Sequence, residues 1–289
     1  MFAITGATGK VGGAVARTLL AASHPVRVIV RDNGKGERWA ALGAEFAIAD
    51  SNDIAAMTAA MSGCAGAFVM LPPTFDPSPD FREARQTIEA LHQALLAARP
   101  RKAVVLSTIG ADALQPNLLN QLRLLEEGLS DLPMPLTYLR AAWFMENAAW
   151  DLEPARREGT ISSYLQPLDK LFPMVSAEDV GMNAAELLLE DWSGRRIVEL
   201  EGPRRVSPND IAAAIGRSLG RQVCAQVVAR DDWDRLFRSQ GMINPVPRGQ
   251  MLDGFNEGWI DFSERDATSR KGTIMLEQAI AALVATAGG

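Results

Sequence analysis

The feature that most constrains this chain is the run Thr5-Gly6-Ala7-Thr8-Gly9-Lys10-Val11-Gly12-Gly13, placed directly after the apolar segment Phe2–Thr5. Gly6 lets the chain leave a strand in a tight turn. Gly9 carries no side chain to block the approach of a pyrophosphate. Gly12, with Gly13 and Ala14, lets a helix over Lys10–Ala22 pack closely on a sheet. The unpaired amides of that helix start favour an anion. A strand, a Gly-x-x-Gly-x-x-Gly turn and a helix in this order predict a dinucleotide-binding βαβ unit, with Gly6, Thr8, Gly9, Lys10, Val11 and Gly12 around the phosphates.

The following residues keep the same alternation. Val26–Arg31, Glu45–Ile48, Gly66–Leu71, Lys102–Ser107 and Leu136–Arg140 read as near-continuously apolar strands. Gly36–Leu42, Asp53–Met61, Pro79–Ala98 and Asn117–Leu129 read as helices between them. Apolar strands alternating with helices predict an α/β fold, a Rossmann-type doubly wound parallel sheet covered on both faces. After Arg140 the pattern is less regular. Helices are expected over 143–157, over Val180–Leu189 behind a capping box Ser176–Asp179, after Ser207-Pro208, and over Ile274–Ala285. Strands are expected over Arg196–Leu200 and Val223–Val228. The expected organisation is a dinucleotide-binding domain over 1–150 and a smaller α/β lobe over 151–289, lining the substrate cleft and interleaved with the first without a linker.

The second strand ends Val28-Ile29-Val30-Arg31-Asp32. An acid here would hold a ribose 2′-hydroxyl, whereas an arginine accommodates a 2′-phosphate. Arg31 comes first, and Lys35 and Arg38 follow, so the local field is positive and NADP(H) is expected over NAD(H). Asp50, after the third strand, is placed to accept from an adenine amino group. Leu71 and Pro72, after the fourth, are placed against the ribose.

With these residues the chain resembles the NmrA-like family of atypical short-chain dehydrogenases/reductases. The resemblance covers Gly6–Gly12, Val28–Asp32, Asp50, Met70–Pro73, Val104–Gly110, Ser176–Gly181 and the Leu-Arg-x-x-x-Phe-x-x-Asn element of Leu139, Arg140, Phe144 and Asn147. Members include NADPH-binding redox sensors, a quinone oxidoreductase and a triphenylmethane dye reductase. The resemblance implies that Trp143, Phe144 and Asn147 face substrate. It also implies that Thr108 stands where the serine of the usual dehydrogenase site falls.

The usual proton relay of that superfamily is a Tyr followed four residues later by a Lys. Here Tyr138 is followed by Ala142 and Tyr164 by Leu168. Family members often carry a Lys four residues before a Glu on the fifth helix, and Glu126 is preceded there by Leu122. His24 and His92 read as surface residues. No side chain is therefore assigned as the catalyst, and reactions that require a positioned proton acceptor are disfavoured. The expected activity is hydride transfer from NADPH to a small apolar acceptor, such as a quinone or conjugated compound, with a flat pH profile through neutrality. The alternative is a non-catalytic NADP(H)-binding redox sensor acting through a protein partner.

The net charge of -6 gives no basic footprint for nucleic acid. No stretch reaches the ~20 uninterrupted apolar residues of a membrane helix. Two cysteines, Cys64 and Cys224, without histidine or cysteine neighbours at metal spacing, argue against a zinc site or a disulfide scaffold. No signal peptide is read before the first strand, and a reducing cytoplasm is expected. The expected partners are a small-molecule substrate and, beyond it, a second copy of the chain or a regulatory protein.

Overall fold

The structure is a computed structural model that describes residues 1–262 and 268–287. The N-terminal half runs β1 (Phe2–Ile4), α1 (Lys10–Ala21), β2 (Val26–Val30), α2 (Asn33–Ala40), β3 (Glu45–Ile48), α3 (Ile54–Met61), β4 (Gly66–Val69), α4 (Arg82–Ala98), β5 (Ala103–Thr108), α5 (Asn120–Gly128) and β6 (Leu136–Ala141). It continues through β7 (Trp143–Phe144), a 3₁₀ segment (Met145–Asp151), α6 (Leu152–Glu158), β8 (Thr160–Ser163), β9 (Met174–Val175), α7 (Ala177–Leu189), β10 (Arg195–Glu201), α8 (Pro208–Leu219) and β11 (Cys224–Val227). A 3₁₀ turn (Arg230–Asp232), α9 (Trp233–Ser239), α10 (Val246–Glu257), β12 (Thr268–Lys271) and α11 (Leu276–Thr286) complete the described elements.

Side chains along each central strand alternate between two apolar layers, as a sheet buried on both faces requires. Phe2, Ile4, Val28, Val104, Leu106 and Leu139 join one layer, which α1, α2 and α7 cover with Val11, Val15, Trp39 and Val180. Ala3, Ile29, Ala103, Val105 and Tyr138 join the other, under α3, α4 and α5. The sheet has eight parallel strands in the order β12-β10-β6-β5-β4-β1-β2-β3. The chain therefore reverses direction across the sheet between β1 and β4, and the crevice outside their carboxyl ends is where such sheets take ligands.

Several boundaries differ from the sequence expectation, each for a local reason. The fourth strand stops at Val69 because the next amide, of Met70, bonds the Thr5 hydroxyl. The second helix starts early, at Asn33, because Asp32 caps it. The fourth starts late, at Arg82, after Phe81 turns left-handed at φ 54°. No continuous helix spans 143–157. Trp143 and Phe144 instead pair with Met174 and Val175, and the chain tightens into a 3₁₀ segment before α6.

The capping box at Ser176 is also corrected. Ser176 accepts from the Glu178 amide, but Asp179 turns away to accept from Thr273 and Ile274. The carboxylate that completes the cap comes from Glu146, on the 3₁₀ segment, and accepts from the Ala177 amide at 2.9 Å. The helix accordingly begins at Ala177. The box at Ser207 is real and reciprocal with Asp210.

Beyond residue 150 the chain contributes to both bodies of the molecule. β10 pairs with β6, β12 pairs with β10, and α7 lies on α1 so closely that a Cβ on Gly181 would stand 2.3 Å from that of Ala14. The remaining elements build a second core beside the strand ends, centred on Trp233, Phe237, Phe172 and Phe255. Parallel β8 and β11 edge it.

Candidate dinucleotide and acceptor cleft

The end of β1 is tied to the end of β4 through Thr5. Its amide and hydroxyl both donate to the Phe68 carbonyl, at 3.0 and 3.1 Å, and its hydroxyl accepts from the Met70 amide at 3.2 Å. Gly6 then turns at φ +64°, and a Cβ there would stand 2.5 Å from the Met70 sulfur. A Cβ on Gly12 would stand 2.5 Å from the carbonyl oxygens of Thr5 and Gly6. The protein's own packing demands both glycines.

Gly9 is different. It is exposed, and the one atom near a Cβ built on it is the Gly6 oxygen at 3.3 Å. Gly9 is the N-cap of α1, with no side-chain cap bond and no acidic residue in the first turn. The helix start therefore presents unpaired amides to an open surface. Thr8 and Lys10 flank it exposed, and Val11 is buried beneath. A pyrophosphate fits this cradle, because the space a Cβ of Gly9 would fill is bounded by almost nothing in the protein itself.

On the β2 side, Asp32 is committed to its own helix. It accepts from the Lys35 amide at 2.9 Å and pairs with the Lys35 ammonium at 3.3 Å. The backbone bond from Lys35 holds its carboxyl below the ordinary range. Lys35 is thereby neutralised, while exposed Arg31 acts on Asp32 only through its charge and makes no salt bridge or hydrogen bond among the described residues. Asp50 follows β3 exposed, its carboxylate accepting from the Asn52 amide at 3.0 Å. These residues suit the adenosine end of a nicotinamide dinucleotide.

On the other side of the switch point lie Leu71, buried, and Pro72, exposed, just past β4. Thr108 ends β5 beside Ala141 of β6. The hydroxyl of Thr108 and the amide of Asn147 are both half-buried, and neither makes a hydrogen bond among the described residues. Phe144 packs against the core beside α1. Trp143 leans the other way, its ring 5.2 Å from that of Phe255 and edge-on. Trp143 thus belongs to the wall of the second core.

The side chains that could relay a proton are engaged elsewhere. The Tyr138 hydroxyl donates to the Glu126 carbonyl at 2.9 Å, and burial pushes its pKa well up. The Glu126 carboxylate is gripped by Arg140 at 2.8 and 2.9 Å and also accepts from Ser107. Tyr164 packs on Trp233 and Phe237. His92 contacts Asp131, and His24 lies edge-on to Phe2.

One group was missed by the sequence reading. Asp151, at the end of the 3₁₀ segment, has its carboxyl pushed up to about 7 by desolvation alone, although some of its surface stays open to water. The side chain is crowded by protein atoms while part of its surface stays open to water. The sequence carries no signal for this, because its periodicity predicts a helix over 143–157 where the chain forms a 3₁₀ turn. Two cavities, of about 230 and 420 Å³, open away from these residues, the smaller at the amino ends of the strands and the larger beside Tyr138 and Arg195–Ile197. Neither is lined by a candidate residue, and the candidate residues stand at the opposite, carboxyl edge of the sheet. None of the helices among the described residues is long and apolar enough to cross a membrane.

The chain is similar to known proteins over nearly its whole length. It is 26% identical over 249 residues to the NAD(P)H azoreductase of Xenophilus azovorans, covering 84% of this chain and 82% of that protein. It superposes on the Escherichia coli NADPH-dependent quinone oxidoreductase QOR2, complexed with NADPH, with a TM-score of 0.77 at 23% identity over 100% of both chains. It superposes on the Citrobacter sp. triphenylmethane reductase complexed with NADP(H) with a TM-score of 0.79 at 19% identity, over 98% of this chain and 99% of that one. The sequence pattern of the NmrA-like family matches residues 1–247, and the chain belongs to that family.

Proposed function

We propose that this protein is an NADPH-dependent reductase that passes hydride to a small conjugated acceptor, such as a quinone, without a tyrosine–lysine relay. The observation that carries the reading is Gly9: the fold leaves the start of α1 open there, in a loop whose other glycines are fixed by packing. Similarity to an NAD(P)H azoreductase and to an NADPH-dependent quinone oxidoreductase supports it.

When bound, NADPH supplies the hydride. The chain supplies placement. The free amides at Lys10–Gly12 would hold the pyrophosphate, Arg31 would grip the 2′-phosphate, and Leu71 and Pro72 would bound the ribose. Thr108 and Asn147 offer free polar groups to an acceptor oxygen, and Phe144 supports the floor beneath it. An acceptor whose reduced form is delocalised needs only a positioned approach and a solvent proton, and holding two reactants in line can supply several kcal/mol of the barrier.

The reading is tested by steady-state NADPH oxidation with quinones, dyes, enones and imines. Turnover with at least one conjugated class, lost in Gly9→Val, is the expected result. Tight NADPH binding with no turnover in any class would overturn the enzyme and leave a redox sensor.

A further inference from the structure

Arg248 is a cation without an anion. Its guanidinium is half-buried, its carbon 4.4 Å from the centroid of the Phe237 ring and 5.8 Å from that of Trp150. Among the described residues its only hydrogen-bond acceptor is the Met242 sulfur, at 3.5 Å. No carboxylate among the described residues pairs with it. Nearby acids are engaged: Asp253 of the same helix holds Arg230 at 2.7 Å, and Asp76 accepts from the amides of Ile243 and Asn244, at 2.7 Å each. Desolvation pulls the Arg248 pKa below its ordinary value, so the fold is spending stability to keep this charge here.

The position of Arg248 relative to the cleft follows from α10. Arg248 and Phe255 stand two helical turns apart, on one face. Phe255 contacts Trp143 and Arg248 approaches Trp150, so that face runs alongside the segment 143–150, with Asn147 between the two contacts. From the β4 side the loop after Pro72 brings Phe75 edge-on to Trp150 at 6.0 Å. Both rings are open, 53% and 64% exposed. The loop is held in place by Asp76 and by the Gln121 amide bonded to the Thr74 carbonyl at 3.1 Å. Two exposed aromatic faces and an uncompensated guanidinium thus meet beside the segment that carries Asn147.

We propose that Arg248 is the specificity residue of this cleft and that the acceptor is an aromatic compound bearing a carboxylate or sulfonate, its ring against Trp150 and Phe75 and its anion on Arg248. This rests on the reductase reading for the acceptor's role, but the binding site itself does not. A planar guanidinium takes either anion by two parallel hydrogen bonds, and its partial burial strengthens them.

The test compares a naphthoquinone sulfonate with its uncharged parent naphthoquinone as acceptors, in the parent protein and in Arg248→Met, which keeps the side-chain stem against Phe237. The ratio of kcat/KM for the anion to that for the neutral quinone should fall at least about tenfold, the size of one lost charged hydrogen-bond pair. Arg248→Lys should recover part of the ratio. An unchanged ratio would overturn the proposal, as would equal losses on both acceptors. A second measurement separates it from the reductase reading: titration calorimetry of naphthalene sulfonate, which accepts no hydride, against naphthalene methanol. Arg248-dependent preference for the sulfonate without any turnover would keep the site and remove the reductase. Equal binding of the two probes would remove the site.

Discussion

At the scale of single residues, the glycine loop separates two kinds of glycine that a sequence cannot distinguish. Gly12 is glycine because Thr5 and Gly6 carbonyls leave no room, whereas Gly9 is glycine although the protein nearly has room. Gly12→Ala should therefore cost stability, about 1–3 kcal/mol as overpacking against backbone, and lower Tm. Gly9→Val should leave Tm close to the parent value and abolish NADPH binding by calorimetry. Normal NADPH binding by Gly9→Val would mean that the phosphates lie elsewhere. Arg31 is argued the same way. With Asp32 committed to capping α2 and to Lys35, Arg31→Ala should weaken NADPH by about 1.5–3 kcal/mol and NADH much less. Equal losses, or tighter NADH binding by the parent, would contradict the 2′-phosphate contact.

At the scale of elements, the segment Met145–Asp151 shows what sequence periodicity misses. Its apolar spacing reads as helix, yet pairing of Trp143 and Phe144 with β9 commits the chain to a tighter turn. That turn aims Glu146 at the start of α7 and withdraws Asp151 from water. Both are long-range consequences, since β9 is placed some thirty residues later in the chain. Asp151 has a folded pKa of about 7 against 3.8 unfolded, so folding favours its protonated form. The associated stability is present below pH 3.8 and is lost as pH rises through about 7. Asp151→Asn should raise stability above neutrality by about 2–4 kcal/mol, the lower end allowing for the water that reaches it, and change little near pH 4. Thermal melts at the two pH values check this, and a loss of stability above neutrality would contradict it. NADPH oxidation is expected to show a flat pH profile through neutrality in the parent and in Asp151→Asn alike, and an inflection that vanishes in Asp151→Asn would place that carboxyl at the chemistry.

At the scale of the whole molecule, the Rossmann half was legible because its strands are apolar throughout and its turns carry their own chemistry. Thr5–Gly13 and the six strands from Phe2 to Ala141 needed no tertiary information. The rest was less legible. β12 is a short edge strand rich in polar residues, Thr-Ser-Arg-Lys, and β8 has meaning only once β11 pairs with it. α10 carries proline and two glycines, which hid the helix that carries Arg248. The phosphate loop could be read residue by residue, whereas the environments of Asp151 and Arg248 depend on burial that only the assembled fold creates. The interleaving has a testable cost. A fragment of residues 1–150 would leave β6 as a bare edge and uncover the face of α1 that packs on Gly181, so it should show no cooperative unfolding transition. A cooperative transition would establish an independent N-terminal domain.

The central claim is that the protein accelerates hydride transfer itself by holding NADPH and acceptor in line. The measurement that tests it most directly is a single turnover of protein-bound NADPH with a naphthoquinone, using cofactor deuterated at the transferring position. The account predicts rapid oxidation of the bound cofactor and a clear slowing by deuterium. Bound NADPH that persists in the presence of the acceptor, or is consumed at a rate indifferent to deuterium, would contradict it.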